Sequence, residues 1–397
     1  MSKYATSGRN PRAAIYLPIA DEQATGMQRF GSEIIQALLR LDPGLEVVIG
    51  RVDGQPAWLA GIGYHEIFGR RAKRWVPRAA QPLLRLLWLQ FVLPVKLGRG
   101  ATLLSLAHEL PVVTILRQIA VAHDLTHMRS YAPRRGILES IRHRLWTLGL
   151  RRADRVIAIS HATRRDLVEL CRLRDDRISV IYEGFDPAIF HPSGDAPPRP
   201  RPFLLYAGTL APNKNIPFLL QVFSRVRQRH DVDLVLVGKH SPDAIAALLS
   251  QLPESVRGSI DFPGFVTDEQ LAALMRHCRA FTFPSLNEGF GLAVVEAMAC
   301  GAPLISSPAG SLAEVVESGG LLLDPNAAEA WVAAVDRVLL DEQFRTELSQ
   351  KGLQRSAQFS WEQAAQAYLL EVGGAATSGN DRNWSHEAGG SAPHPGS

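Results

Sequence analysis

Short apolar runs rich in Val, Ile, Leu and Phe alternate along the chain with stretches whose apolar positions recur every three or four residues. AAIYLPIA, VVTILRQIAVAHD, RVIAIS, RISVIYEG, PFLLYAGTL, DLVLVGK, AFTFPS and PLISS read as strands; GSEIIQALLRL, IPFLLQVFSRVRQ, AIAALLSQL and AVVEAMACG, set between them, read as helices. Near-continuous apolar strands joined by amphipathic helices mark parallel sheets whose faces are covered by crossover helices. The pattern predicts an α/β protein built from two Rossmann-like layers.

The alternation breaks in two places. DPAIFHPSGDAPPRPRP, from Asp186 to Pro202, is dense in Pro and polar residues and reads as an inter-domain linker, with the boundary near residue 195. After Val372 the chain turns to GGAATSGNDRNWSHEAGGSAPHPGS, poor in apolar residues, and a disordered tail over 373–397 is expected. A chain of 397 residues fits two domains of about 150–200 residues each, here 1–195 and 196–358.

The three cysteines, Cys171, Cys278 and Cys300, have no paired spacing, and no charged-then-apolar leader precedes them. The expectation is a reducing, cytoplasmic setting without a disulfide framework or zinc site. The net charge of +4 hides an asymmetry: residues 1–190 carry 28 Lys+Arg against 17 Asp+Glu, the remainder 15 against 22. A basic first half facing an acidic second half points the first domain towards something anionic, unless it is merely a solvated basic surface. LLRLLWLQFVLPV, from Leu83 to Val95, is too short to span a bilayer, which takes about 20 residues. With Arg70, Arg71, Lys73, Arg74 and Arg78 before it, and Trp75 and Trp88 nearby, it reads either as a segment lying on an anionic lipid surface or as a buried helix.

The chemistry concentrates in NEGFGLAVVEAMACGAPLISS, from Asn287 to Ser307. AFTFPS before it reads as a strand and AVVEAMA after it as a helix, so the Gly-Phe-Gly turn sits between strand and helix. Gly289 and Gly291 let backbone approach a ligand closely, and the free amides of the helix start suit a phosphate. Glu288 and Glu296 lie about 10 Å apart at about 1.5 Å rise per residue. Neither suits a phosphate by charge, so each is placed to accept hydrogen bonds from hydroxyls at the two ends of a long ligand. A nucleoside diphosphate sugar has that layout. No G-x-G-x-x-G dinucleotide fingerprint occurs.

The stretch NEGFGLAVVE, continued by AMACGAPLISS, resembles the Glu-x₇-Glu motif of the GT4 family of retaining glycosyltransferases. TGMQRFGSEIIQALLRLDP, VAHDLTHMR, ADRVIAISHATRRDLVEL, VIYEGFDPAIF, YAGTLAPNKNIPFLL and FPGFVTDEQLAALMRHCRAFTFPS resemble its other segments, so that the similarity runs over roughly residues 12–372. The resemblance implies the GT-B fold: two Rossmann-like domains facing each other across a cleft, the first acceptor-side, the second binding the donor, with the helix 359–372 returning to the first. It implies that Glu288 lies near the donor sugar, that Glu296 grips the ribose, and that the Gly289-Phe290-Gly291 amides and Leu292 meet the sugar or diphosphate. It makes Lys214 the clamp on the diphosphate, flanked by Thr209 and Asn213, which stand where many relatives carry arginine. Gly26 would bring the first domain's glycine loop to the donor phosphates. His123, at the carboxyl edge of a strand, is placed to hydrogen-bond the sugar or acceptor, with Asp124 orienting it or serving the turn. The His123 and His127 spacing also permits a metal pair, but no third ligand is apparent. DVDLVLVG reads as a strand entry despite its Asp-x-Asp.

The function implied is a metal-independent, retaining hexosyltransferase without a cofactor, whose leaving diphosphate helps take the acceptor proton. The expected donor is GDP-mannose and the expected acceptor a lipid-linked or lipopolysaccharide saccharide in surface polysaccharide synthesis. The enzyme would sit on the cytoplasmic face of the inner membrane through Arg70 to Leu97 and the basic stretch Arg134 to Arg152, with no nucleic acid as partner. The alternatives are a UDP-sugar transferase of glucose, galactose or an N-acetylhexosamine, a catalytically silent GT-B protein that binds nucleotide sugar, and a sugar-nucleotide epimerase of similar architecture.

Overall fold

A computed structural model describes residues 13–21, 26–67, 81–125, 137–195 and 199–373. The basic residues from Arg70 to Arg78 with Trp75, His127, Arg134, and 374–397 of the expected tail lie outside the described residues.

Two all-parallel sheets carry the fold. The first has the order β3-β2-β1-β4-β5-β6-β7, from β1 (Ala13–Asp21), β2 (Glu46–Asp53), β3 (Tyr64–Glu66), β4 (Thr102–Ser105), β5 (Arg117–Ala122), β6 (Arg155–Ala158) and β7 (Ile178–Val180). The second has the order β10-β9-β8-β11-β12-β13, from β8 (Phe203–Ala207), β9 (Asp233–Val237), β10 (Ile260–Gly264), β11 (Ala280–Phe283), β12 (Leu304–Ser306) and β13 (Leu321–Leu322). Every residue of β4, β8 and β11 is buried, as expected of strands covered on both faces. Pro18 is tolerated inside β1 because it lies past Tyr16↔Ser105, the last pair with β4.

Strand order reverses between β1 and β4 in one sheet and between β8 and β11 in the other. Such switch points open a crevice at the carboxyl ends of the strands, where α/β folds bind ligands. One buried apolar cluster joins the two halves, running from Leu17 and Phe30 through Phe190 to Phe290 and Trp361. Phe290 stands 5.9 Å from the Tyr182 ring and 5.6 Å from that of Phe359. Burying each such side chain is worth about 1.5–3 kcal/mol.

The last helix, Trp361–Gly373, packs on the first sheet's side. Trp361 meets Phe30 edge-on at 5.8 Å, and Arg155 pairs with Glu371 at 3.1 Å. Arg117 donates to the carbonyls of Glu371 and Val372, which places a cation at the negative end of the helix dipole. Gly184 marks the crossing, because a Cβ there would sit 2.2 Å from the backbone nitrogen of Trp361.

Two apolar runs behave differently from their sequence pattern. VVTIL is not part of β5: the strand begins at Arg117, and Val113 and Ile115 are exposed. The segment from Leu83 to Val95 is helical with a π-turn over Trp88–Val92. It buries Leu89 and Leu93, with Leu97 just beyond it, while Leu83, Leu87, Phe91 and Val95 face solvent, so it is not a wholly buried helix.

Candidate active site

The loop after β8 is shaped by its own backbone. Gly208 has φ +153°, and the Tyr206 hydroxyl donates to the Thr209 carbonyl at 2.8 Å. A 3-10 turn over Pro212–Lys214 follows, and Asn215, left-handed at φ 56°, starts the helix Ile216–Arg227. This turn zips onto the loop after β11: the Leu286 amide donates to the Asn213 carbonyl at 2.7 Å, and Asn213 Nδ2 donates to the Asn287 carbonyl at 3.2 Å. The zipping brings Lys214 Nζ to 2.6 Å from Glu288 Oε1, which also accepts from the Ser285 hydroxyl. The pair is mostly buried and sits at the β8/β11 switch point.

Glu288 is held from behind. The Ser311 amide and hydroxyl both donate to its carbonyl, and the same hydroxyl reaches the Phe290 carbonyl at 2.9 Å. Gly310, at φ +66°, permits this, since a Cβ there would lie 2.4 Å from the Glu288 oxygen. Gly291, at φ +102°, turns the chain into the helix Leu292–Ala299, with Leu292 half-buried as its first residue. The Phe290 ring is buried against Tyr182 and Phe359.

Glu296 lies on that helix, 1% exposed. Its Oε1 accepts from Arg29 Nη1 at 2.5 Å, and the other terminal nitrogen of Arg29 holds Asp268. Burial pushes the Glu296 carboxyl up, while Arg29 pulls it down. Arg29 comes from the helix Gly26–Leu41 of the first half, and at Gly26, which opens that helix, a Cβ would meet nothing within 4 Å.

His123 follows the end of β5, beneath the Gly-Phe-Gly turn. A Cβ on Gly289 would lie 2.1 Å from the His123 carbonyl oxygen, so the turn needs glycine for the approach of the other domain's backbone. The ring itself is buried: Nε2 lies 2.9 Å from the Leu106 carbonyl, Nδ1 lies 3.7 Å from Glu183, and Phe30 meets it edge-on at 4.5 Å. The carboxylate at Nδ1 is that of Glu183, a residue the sequence had not pointed to. Burial disfavours a proton on His123, but Glu183, the Leu106 carbonyl and Asp124 together outweigh it and the net direction is up. Burial likewise raises Glu183, against the pull of His123.

A second contact across the cleft has no counterpart in the sequence reading. Glu314 accepts from the His161 and Ala162 amides at 3.0 and 2.8 Å and from the Tyr182 hydroxyl at 3.0 Å. It thus caps the helix His161–Glu169 alongside Ser160, that helix's own N-cap. Asp231 and Asp233 pair with Arg227 and Arg201 at the amino end of β9, away from this edge. Among the described residues no three His, Cys, Asp or Glu side chains cluster closely enough to hold a metal ion.

Comparison with known proteins decides the family. The pattern described as "Glycosyltransferase Family 4" matches residues 24–189, and "Glycosyl transferases group 1" matches residues 192–355. The chain belongs to this family of glycosyltransferases. Over 232 residues, 54% of its length, it is 34% identical to the serotype-specific mannosyltransferase WbdA of Escherichia coli, of which the match covers 28%. Over 176 residues, 42% of its length, it is 39% identical to the O-antigen chain mannosyltransferase B of Escherichia coli, of which the match covers 46%. The matches therefore span less than half the length of either relative. Anabaena HepE, solved with UDP and glucose, superposes with a TM-score of 0.72 at 18% identity, covering 91% of this glycosyltransferase and 99% of HepE. The fold of this glycosyltransferase is GT-B.

Within the transferase, the structure brings Thr209, Asn213, Lys214, Glu288, Gly289, Phe290, Gly291, Leu292 and Glu296 to one edge of the second sheet, and sets His123 and the Gly26 helix against it. Arg29, Ser285, Ser311 and Glu314 were not singled out from the sequence. Arg29 lies inside TGMQRFGSE, but nothing in its spacing names a partner 267 positions away.

Proposed function

We propose that this glycosyltransferase moves mannose from GDP-mannose to a lipid-linked or lipopolysaccharide saccharide, with retention, in surface polysaccharide assembly. The observation that carries the reading is the Lys214–Glu288 pair at the β8/β11 switch point, with Glu296 on the adjoining helix. Two relatives named as mannosyltransferases, one of them of the O-antigen chain, support mannose as the sugar. Lys214 stabilises negative charge on the departing diphosphate, in a site where protein dipoles replace water. Glu288 accepts from sugar hydroxyls and Glu296 from ribose hydroxyls. The bond from the anomeric carbon to the phosphate oxygen breaks, the acceptor oxygen bonds on the same face, and its proton passes to the departing phosphate.

The exposed apolar face supports a membrane-bound acceptor. Gln90 ties the two parts of that face together, accepting from the Val112 amide at 2.7 Å and donating to the Val113 carbonyl. Leu83, Leu87, Phe91 and Val95 on the helical segment, and Val113 and Ile115 on the segment that Gln90 holds to it, are all exposed, with Lys96 and Arg99 following in the chain and Arg152 donating to the Val112 carbonyl. A contiguous apolar patch with basic residues at its margin fits the surface of an anionic bilayer. Among the described residues no helix is long and apolar enough to cross a membrane. Phe91→Ser with Val95→Ser should abolish co-sedimentation with anionic vesicles at low salt while leaving nucleotide binding intact. Unchanged co-sedimentation would refute the docking face.

The test of the donor is the thermal shift of the purified protein with GDP, UDP and ADP, followed by transfer of labelled mannose from GDP-mannose to a lipid extract. Stabilisation by GDP and labelling of lipid support the reading. Stabilisation by UDP alone would move the donor to a UDP-sugar, and no stabilisation by any nucleotide would leave a silent protein.

A further inference from the structure

Arg29 reaches across the cleft to the one carboxylate that the donor ribose is proposed to use. Its Nη1 lies 2.5 Å from Glu296 Oε1, its other terminal nitrogen pairs with Asp268, and its guanidinium lies 5.6 Å from the centre of the Phe190 ring. The guanidinium is thereby fixed at three points, two of them on the donor-binding half. Among the described residues the contact with Arg29 engages Oε1 of Glu296, which leaves Oε2 for a ligand hydroxyl. The buried Nε of Arg29 has no acceptor among the described residues.

We propose that Arg29 is a positioning residue that holds the Glu296 carboxylate for the donor ribose and, because it comes from the opposite domain, makes tight donor binding conditional on closure of the cleft. The inference rests on the donor-site reading above. Its physical basis is the cost of an isolated buried carboxylate, which takes up a proton in place of remaining charged. The charged groups acting on Glu296 are Arg29 from the helix Gly26–Leu41, Asp268 from the helix Asp268–His277, and Glu183, paired with His123, after β7; Glu33 acts on Arg29, and Cys300 closes the helix of Glu296. Arg29 is the cation in direct contact, while Asp268 and Glu183 push the carboxyl up with burial. Opening the cleft withdraws Arg29, and the carboxylate loses the contact that fixes it for the ribose hydroxyls.

The sign follows. Without Arg29, Glu296 holds its proton to higher pH, so nucleotide binding is lost at the acid end and recovers as pH rises. Titration calorimetry of GDP and of UDP against the intact protein, Arg29→Met and Arg29→Lys from pH 6 to pH 8 reads this directly. Arg29→Met should weaken binding by about tenfold or more at pH 6 and by less at pH 8, the range of a lost charge contact, and Arg29→Lys should fall between. A loss equal at every pH, or none, would overturn the inference while leaving the donor reading in place. Failure of the unmodified protein to bind either nucleotide would overturn the donor reading and this inference with it.

Discussion

Lys214 and Glu288, 74 positions apart in the chain, meet at 2.6 Å at the carboxyl edge of the second sheet. Each neutralises the other in the free protein, and a diphosphate bound as proposed would compete with Glu288 for the same ammonium. The two side chains therefore affect nucleotide binding in opposite ways.

Lys214→Ala should weaken GDP binding and lower turnover by about 10²–10³-fold, the usual loss for one charge-stabilising donor. Glu288→Gln should lower turnover too, yet bind GDP at least as tightly as the native protein, because the competing charge is gone. Calorimetry with GDP on both variants checks the contrast. Equal weakening in both would contradict it.

Gly289→Ala places a methyl 2.1 Å from the His123 carbonyl, whereas Gly258→Ala meets nothing within 4 Å. Backbone cannot move aside as a side chain does, so the first change should cost about 1–3 kcal/mol and most of the activity, and the second almost nothing. Chemical denaturation of the two variants in parallel measures the difference.

Glu314→Ala removes a carboxylate that caps a helix of the other domain. The loss should amount to about 1–2 kcal/mol, and the free protein should expand as the cleft loosens. Small-angle scattering supplies the radius of gyration and a melting curve the stability. Native values of both would show the contact to be dispensable.

Glu33 stands one helical turn beyond Arg29. Burial and Asp186 push its carboxyl up to about 7, against Arg29 and Arg40 and with help from Asp268. Between the ordinary carboxylate range and pH 7 the folded protein thus keeps a proton that the unfolded chain has released, and stability falls as pH rises through that window. Glu33→Gln should stabilise the protein by about 1–2 kcal/mol at pH 8 and by little near pH 4.5. Melting temperatures of both proteins across that range test it, and a pH-independent difference would refute the assignment.

The two-sheet architecture was legible because parallel strands are buried on both faces and write themselves as apolar runs such as FLLYA and AFTF. The cluster around Glu288 was legible because glycine, acid and helix start fall within one short segment. What stayed hidden lies in contacts between distant segments. Glu314 reads as an ordinary helix glutamate, yet it caps amides more than 150 positions earlier. Gly289 suggests room for a ligand, but its nearest crowding atom is the backbone of His123. The VVTIL run carries strand residues, but β-propensity reflects packing as much as backbone preference, and Gln90 holds its end on the exposed face beside Phe91.

The most direct measurement is the affinity of GDP-mannose for the native protein and for Glu296→Ala by calorimetry. The account predicts saturable binding by the first and a loss of about 10–100-fold in the second, the range for hydrogen bonds to a charged acceptor, with the fold retained. Equal affinity in the two proteins would contradict the placement of the ribose at Glu296, and no binding of GDP-mannose to the native protein would contradict the donor.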